Sequence, residues 1–344
     1  MMKKILLPLV FLVSMAAFSQ SGKSEMKIMF YNVENLFDPE DEPDKSDEEF
    51  TPKGTRYWSY PRYRQKLSNI SKVIVALGGW EAPALIGLCE VENRKTMEDL
   101  TQQAPLKRLG YQFIHQESPD ERGIDVALLY QKEKYQPVHE EFIEINFPQD
   151  PSRKTRDILY SSGVVPTGDT LHVFVNHFPS RYGGELVSEP NRIFVASLLR
   201  RRVDSLLARN PQSLIVIMGD FNDHPDNRSI RDVLNAHEVK PPFKNTELYN
   251  LFALYHAQGM GSYKFQGEWG ALDQMIVSGA LLTGEQRVST TQDNARVFRA
   301  DFLLETDNMG DKPFRTYTGF RFNGGFSDHL PIYTIFTLNN KPNN

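Results

Sequence analysis

Five segments of the sequence place polar side chains where an apolar run ends. These side chains are Asn32, Glu90, Asn176 with His177, Asp220 with Asn222, and Asp328 with His329. Taken singly, a polar residue at a strand end is more often a capping or hydrogen-bonding group than a catalyst. Together they combine hard oxygen ligands for Mg²⁺, Mn²⁺ or Ca²⁺ with histidines that transfer protons near neutral pH. The combination predicts metal-assisted attack of water on a phosphate ester.

Other reaction classes lack their sequence features. There is no Gly-x-Ser-x-Gly turn for a serine hydrolase and no glycine-rich phosphate loop for a nucleotide cofactor. The single cysteine, Cys89, forms neither an intramolecular disulfide nor a cysteine zinc site. A net charge of −5 excludes nucleic-acid binding by bulk positive charge, but not a nuclease that contacts phosphate through metal and a few arginines.

Short apolar runs and two amphipathic segments predict the elements that position these residues. The predicted strands are 27–33, 84–91, 125–130, 170–177, 213–221, 272–278 and 331–338. The predicted helices are 61–78 and 190–210, with Pro61 and Pro190 in their first turns because proline lacks the N–H that is unpaired there. Since several strands follow one another without a helix, we expect one α/β domain with mixed or antiparallel sheets.

Residues 1–20 have the layout of a cleaved signal peptide. Lys3 and Lys4 precede an apolar run over 5–18, and small residues follow. The alternatives are a membrane anchor or a buried strand, but the run is short for a spanning helix and no second run approaches that length. We expect an exported, periplasmic or extracellular protein, without stable membrane insertion after cleavage. Losing both lysines changes the net charge from −5 to −7.

Residues 38–49 form an acidic segment, DPEDEPDKSDEE. Runs of like charge are usually exposed, which favours a solvated insertion. Calcium binding is the functional alternative. The carboxylate spacing does not match an EF-hand loop with its central glycine.

In order and type, the motifs resemble those of the endonuclease/exonuclease/phosphatase family, whose members include DNase I-like nucleases, inositol-polyphosphate 5-phosphatases and neutral sphingomyelinases. The matching pieces are Asn32, Glu90, Asn176-His177, Gly-Asp-Phe-Asn at 219–222, Leu272-Asp273 and Ser-Asp-His-Leu-Pro at 327–331. The resemblance runs from about residue 26 to 338. It implies a four-layer α/β/β/α sandwich with two mixed sheets, formed by one catalytic domain over 26–340.

The resemblance also implies roles around a metal ion. Glu90 is the expected principal ligand, with Asn32 beside it and Asp328 positioning the site or binding metal. Asp220 is expected to orient or deprotonate the attacking water. Asn222 is expected to hold the scissile phosphate.

Further roles follow for the histidines and their neighbours. His329 is expected to contact the phosphate and stabilise its developing charge, and His177 to contact phosphate or protonate the leaving group. Asp273 resembles the family's strand-borne aspartate that supports a catalytic histidine, although Gln274 departs from the family pattern. Asn176 is expected to contribute to substrate binding.

Arg156 and Arg181 are candidate phosphate-binding arginines, because a guanidinium suits bidentate contact with phosphate. A surface role is the alternative for each. The expected protein is a monomeric, Mg²⁺-dependent phosphodiesterase acting on nucleic acid, with Mn²⁺ or Ca²⁺ as other candidate ions. The alternatives are a phosphomonoesterase or phospholipase acting on inositol phosphates or sphingomyelin, and a non-catalytic surface-binding protein.

Overall fold

The structure is a computed structural model that describes residues 23–103 and 105–339. The predicted signal peptide, 1–20, lies outside the described residues. The strands are β1 Lys23–Leu36, β2 Leu85–Val91, β3 Gln112–His115, β4 Asp125–Tyr130, β5 Gln136–Ile143, β6 Ile158–Val164, β7 Thr170–His177, β8 Leu214–Asp220, β9 Ala236–Glu238, β10 Leu248–Asn250, β11 Tyr263–Phe265, β12 Glu268–Gly270, β13 Asp273–Ser278, β14 Val288–Ser289, β15 Ala295–Val297, β16 Leu304–Asp307, β17 Gly310–Pro313, β18 Tyr317–Thr318, β19 Arg321–Phe322 and β20 Ile332–Asn339.

The helices are fewer and lie mostly in the first two thirds of the chain. The α-helices are α1 Tyr60–Gly78, α2 Arg94–Gln102, α3 Leu106–Leu109, α4 Glu185–Arg209 and α5 Ala253–Ala257. Short 3₁₀ helices cover Glu48–Phe50, Gly279–Leu281, Gln292–Asn294 and Asp301–Leu303, and a π-helix covers Ser229–Val233. In the part of the chain described, no helix combines the length and apolarity needed to cross a membrane.

Two mixed sheets form the centre of the fold. The first has the strand order β14-β20-β1-β2-β4-β3, with β15 also paired to β20, and the second has the order β5-β6-β7-β8-β13-β10-β9. Within the first sheet β1 and β2 are parallel, and within the second β7 and β8 are parallel. These two pairs are joined through a helix, α1 and α4 respectively, as is usual for parallel strands, whereas the short parallel pair β9–β10 at the edge of the second sheet is joined by a loop.

Alternate side chains of the central strands enter different cores. Phe30 of β1 and Met218 of β8 lie in the core between the two sheets. Tyr31 faces the core beneath α1 and α2, whereas Ile217 faces the core beneath α4. Gly87 allows the sheets to approach, because a Cβ there would lie 3.0 Å from Met218 Cε. Helices therefore cover the outer face of each sheet, which confirms the predicted α/β/β/α sandwich.

The prediction for the start of the second helix is wrong. Pro61 lies in the first turn of α1 as expected, but α4 begins at Glu185 and contains Pro190 in its interior. The earlier start was hidden because Leu186 and Val187 point into solvent and do not extend the apolar face of the helix.

The acidic segment is only partly a solvated insertion. Among its carboxylate residues Glu40, Asp41, Asp44 and Glu48 are exposed, but Asp38 and Asp47 are 3% and 1% exposed. These two carboxyl groups pack against the residues that follow β2, so the expectation of a wholly exposed loop is wrong for them.

Candidate active site

Strand register brings the predicted site residues to one end of the two sheets. In the first sheet Asn32 lies beside Cys89, the residue before the predicted metal ligand. In the second sheet Asp220 lies opposite His177 on one side and Asp273 on the other. The carboxyl ends of the parallel strands in both sheets thus meet at a single edge, where active sites of α/β proteins commonly form.

Asn32 joins the two sheets through its side-chain amide. Its Nδ2 donates to Glu90 Oε1 at 3.3 Å and to Asp220 Oδ2 at 3.0 Å. The main-chain N–H of Asn35 donates to Glu90 Oε2 at 2.9 Å, and that of Glu34 donates to Asn32 Oδ1 at 3.0 Å. Two carboxylates from different sheets are therefore held by one amide group.

The backbone around these residues is strained. Glu34, Asn35, Glu90 and Asn222 have φ values of 51°, 55°, 61° and 49°. Such left-handed conformations are unfavourable for residues other than glycine and cost of order 1–3 kcal/mol each. The hydrogen bonds made by the Glu34 and Asn35 N–H groups help to hold the chain in these conformations. Strain of this kind clusters at functional sites.

His329 lies beside two carboxylates. Its Nδ1 is 2.6 Å from Asp273 Oδ2, which also accepts a hydrogen bond from Ser262 Oγ, and its Nε2 is 3.7 Å from Asp220 Oδ2. Burial would lower the pKa of His329, but the charges of Asp273 and Asp220 outweigh it and raise that pKa well above its ordinary value. This shift favours the imidazolium form, which donates from Nδ1 to Asp273 and carries its second N–H at Nε2, towards Asp220.

His177 has the opposite charge state. Its Nε2 is 4.0 Å from Glu90 Oε1 and 3.8 Å from Asp220 Oδ2. Burial, followed by the positive charges of Arg156 and Arg122, lowers the pKa of His177 well below its ordinary value. The site thus pairs one neutral and one cationic imidazole.

The two central carboxylates differ in pKa. Burial would raise the pKa of Glu90, but Arg122, His329 and the hydrogen bonds from Asn32 and Asn35 lower it overall. Burial raises the pKa of Asp220 to about 6 against the opposing charge of His329. Both groups are ionised near pH 7, and Asp220 has a pKa suited to accepting a proton there.

Two sets of residues are candidate metal ligands. Asp220, Asp273 and His329 offer ligand atoms within 4.8 Å of one another in the described residues. Because His329 is cationic and hydrogen-bonded to Asp273, with Asp220 at an ion-pair distance, we interpret this set as a charged histidine between two carboxylates. Glu90 supplies oxygen atoms of the kind that Mg²⁺ prefers, and its side chain is 14% exposed, against 3% for Asp220. Asn32 directs its Nδ2 at Glu90 while its Oδ1 accepts from Glu34, so its amide would have to turn to place an oxygen beside Glu90.

Asp328 belongs to a network that the motifs only partly indicated. Its Oδ2 accepts from Arg315 Nη2 at 2.9 Å, and Arg315 Nε donates to Glu34 Oε1 at 3.2 Å. The buried Lys66 donates to the main-chain oxygen of Phe326 at 2.6 Å, two residues before Asp328. Glu34 could have been predicted from the sequence because it lies two residues after Asn32 in the first motif. Lys66 and Arg315 lie in no motif.

Four residues predicted to bind substrate or phosphate make internal hydrogen bonds instead of lying free in the cleft. Asn176 is fully buried and donates to the main chain of β8 at 3.1 Å. Asn222 and Arg156 both donate to the Phe178 oxygen, at 3.0 and 2.9 Å, and Arg156 is 6% exposed. Arg181 donates to the Asn222 oxygen at 2.7 Å. The structure thus places them at the site while engaging them in holding its loops.

Two residues without a motif lie at the mouth of the site. Arg122 is exposed and donates to Asn35 Oδ1 at 2.7 Å. The Tyr263 ring packs against the His329 ring with centroids 4.7 Å apart. An arginine and an aromatic ring could serve a phosphate ester, but no spacing in the sequence singles them out.

Gln274, the departure from the family pattern, is fully buried. Its Nε2 donates to the Asp223 oxygen at 2.6 Å, and its Oε1 accepts from Asn250 at 2.6 Å. The residue therefore braces the loop that follows Asp220, directly after the Asp273 that supports His329.

Solved structures share this fold at low sequence identity. One is D. rerio TDP2 complexed with a single-strand DNA product (TM-score 0.56, 13% identity, 91% of this chain and 99% of that chain). Another is the human Nocturnin catalytic domain with bound sulfate anion (TM-score 0.54, 17% identity, 91% and 94%). A third is an endonuclease/exonuclease/phosphatase family protein from Bacteroides thetaiotaomicron (TM-score 0.51, 14% identity, 92% and 96%).

Comparison of the sequence with family models also gives a match over most of the chain. Curated protein sequences give no significant match. The family model described as the endonuclease/exonuclease/phosphatase family matches residues 27–338, which contain every site residue described above. The chain therefore belongs to the endonuclease/exonuclease/phosphatase family and is a hydrolase of phosphate esters.

Proposed function

We propose that this hydrolase is a divalent-metal-dependent phosphodiesterase that cleaves nucleic acid. The observation that carries the proposal is the bridge made by Asn32 between Glu90 and Asp220, with His329 3.7 Å from Asp220. This arrangement places oxygen ligands, a proton acceptor and a cationic donor around one cleft, which is the set that hydrolysis of a phosphodiester requires.

The residues present fit a divalent ion. Glu90 would hold it through its carboxylate, and Asn32 would join through Oδ1 after its amide turns, since Nδ2 now faces Glu90. Mg²⁺ is the first candidate and Mn²⁺ or Ca²⁺ are others, because the donors are oxygen atoms. When bound, such an ion supplies positive charge to the phosphate oxygens. That local charge explains how a protein with a net charge of −5 can act on a polyanion.

The chain's own residues supply the proton chemistry. Asp220 accepts a proton from the attacking water, since its carboxylate faces the cleft between two imidazoles. His329 donates a hydrogen bond from Nε2 to the phosphate, while Asp273 holds its Nδ1–H. His177, being neutral, is assigned to the leaving-group side. Asn222 keeps the loop after β8 in place through its bond to Phe178.

Nucleic acid is the proposed substrate class because a TDP2 structure with the same fold is complexed with a single-strand DNA product. A substrate panel tests this proposal: single- and double-stranded DNA, RNA, bis(p-nitrophenyl) phosphate, inositol phosphates and sphingomyelin vesicles. We expect the highest kcat/KM on nucleic acid, loss of activity with EDTA and recovery with added Mg²⁺. Hydrolysis confined to inositol phosphates or sphingomyelin would instead support the alternative substrates, and metal-independent activity would contradict the mechanism.

We also propose that the protein is exported and acts as a monomer. The support for export is the basic start, apolar run and small residues within 1–20. Expression in a secreting host followed by mass spectrometry should give a mature chain that starts close to Gln20. Light scattering after gel filtration should give the monomer mass.

The pH dependence of kcat/KM should show an acid and an alkaline limb, because Asp220 must be ionised and His329 must be protonated. Below pH 6 Asp220 becomes protonated, so the rate should fall about tenfold per pH unit. Among the groups that raise the pKa of His329, Asp273 contributes most. In an Asp273→Asn variant the pKa of His329 therefore falls, and the alkaline limb should move to lower pH.

This experiment compares pH–rate profiles at saturating metal. Asp204→Asn, the same change at an exposed position on α4, serves as the control. An alkaline limb that stays in place in the folded Asp273→Asn protein would show that His329 is not the group that titrates.

A further inference from the structure

Carboxyl groups gather where the acidic segment folds back on the end of β2. The main-chain N–H of Asp38 donates to Glu92 Oε2 at 2.6 Å, and that of Glu42 donates to Asp47 Oδ2 at 3.1 Å. Asn93 Nδ2 donates to Asp38 Oδ2 at 3.3 Å and to Glu42 Oε1 at 3.2 Å. Four acidic side chains thus lie around one point, outside the catalytic cleft.

Two oxygen atoms of this cluster receive no hydrogen bond from the residues that the structure describes. They are Asp47 Oδ1 and Glu92 Oε1, whose residues are 1% and 2% exposed. The two carboxyl groups are close enough to interact directly. A buried carboxylate oxygen without a donor or cation is unfavourable, so either a shared proton or a cation must lie between these groups.

The nearby lysines do not supply that cation. Lys95 Nζ donates to Asp38 Oδ2 at 3.0 Å, and its side chain is 45% exposed. Lys45 Nζ donates to the main-chain oxygens of Ser118 and Asp120. Neither ammonium group therefore donates to the two unpaired oxygen atoms.

We propose that a divalent cation of the Ca²⁺ type binds between Asp47 and Glu92 and fastens the acidic loop to the end of β2. The oxygen-only donors and the irregular loop suit Ca²⁺, which accepts variable geometry and completes its coordination with water. Since the protein offers two carboxylates here, the affinity should be modest, with a Kd of about 10⁻⁴–10⁻³ M. The site is distinct from the catalytic ligands and does not rest on the proposed nuclease activity.

Calcium titration by calorimetry tests the proposal in a Glu90→Gln background, which removes the catalytic ion. We expect one Ca²⁺ site that Asp47→Asn weakens by at least about tenfold, whereas Asp44→Asn, the same change at an exposed position in the same loop, leaves it within about twofold. Ca²⁺ should raise the Tm of the parent and the Asp44 variant but not that of the Asp47 variant.

A second measurement uses the chain with Glu90 intact. Trp58 donates its indole N–H to the Phe37 oxygen at 2.8 Å, next to Asp38, so excitation of tryptophan should sensitise Tb³⁺ bound at the site. Asp47→Asn should abolish the part of this Tb³⁺ signal that persists in a Glu90→Gln protein. The proposal is overturned if Ca²⁺ neither binds nor raises Tm in the Glu90→Gln protein, or if Asp47→Asn leaves binding and luminescence unchanged. The first result would mean that Asp47 and Glu92 share a proton instead, and the second that the ion binds at another place.

Discussion

Replacing Asp220 with asparagine should lower kcat by about 10²–10⁴-fold while the protein remains folded. The amide is the same size and can still accept the hydrogen bond from Asn32, now 3.0 Å from Asp220 Oδ2. It cannot accept a proton from water, and it removes one of the charges that keep His329 protonated. Single-turnover cleavage of nucleic acid at saturating metal measures the loss.

The stability of the Asp220→Asn variant should not fall with its activity. Burial raises the pKa of Asp220 to about 6, so the ionised carboxylate is disfavoured in the folded state near pH 7. A neutral asparagine avoids that cost, and the Tm should be equal or higher, as is common when a catalytic group is removed. The control is Asp204→Asn on α4, which is exposed and should leave kcat unchanged. Near-normal turnover of Asp220→Asn would remove Asp220 from the role of base.

Replacing Glu90 with glutamine should abolish most activity by a different route. Losing the carboxylate should weaken Mg²⁺ binding by at least about 10²-fold, because even residues that only support metal ligands contribute about 10–100-fold. The rate should therefore collapse at low metal concentration and recover in part when metal is added in excess. Initial rates against Mg²⁺ concentration, together with calorimetric titration, measure the effect.

The matched control for this variant is Glu98→Gln on α2, where the side chain is 56% exposed. Its metal dependence should equal that of the unsubstituted protein. A Glu90→Gln protein with reduced kcat but an unchanged metal requirement would show that Glu90 is not a ligand, and would leave the Asn35 hydrogen bond as its function.

The strands that carry the site were predictable because buried strands are continuous apolar runs. β4 and β7 have the predicted bounds, and β2 and β13 each begin one residue later than predicted. The hairpins β11–β12, β16–β17 and β18–β19 were not predicted, since their strands of two to four residues are too short to show a period. The start of α4 was missed because the apolar residues of its first turn, Leu186 and Val187, are exposed.

The sequence by itself determined which types of catalytic side chain are present and that they lie at strand ends. Polar residues that stop an apolar run must lie near the edge of a sheet, which made the hydrolase interpretation possible before any fold was known. The Asp38–Glu49 segment shows the limit of such reasoning, because its charge pattern predicts exposure while Asp47 is buried.

Only the tertiary structure decided which groups touch and which are charged. Asn32 and Asp220 are 188 residues apart in sequence, and His329 and Asp273 are 56 apart. His177 and His329 look alike in the sequence, yet one is neutral and the other cationic. The reason is physical: a pKa depends on burial and on neighbouring charges, and both are set by elements that meet only when the sheets pack together.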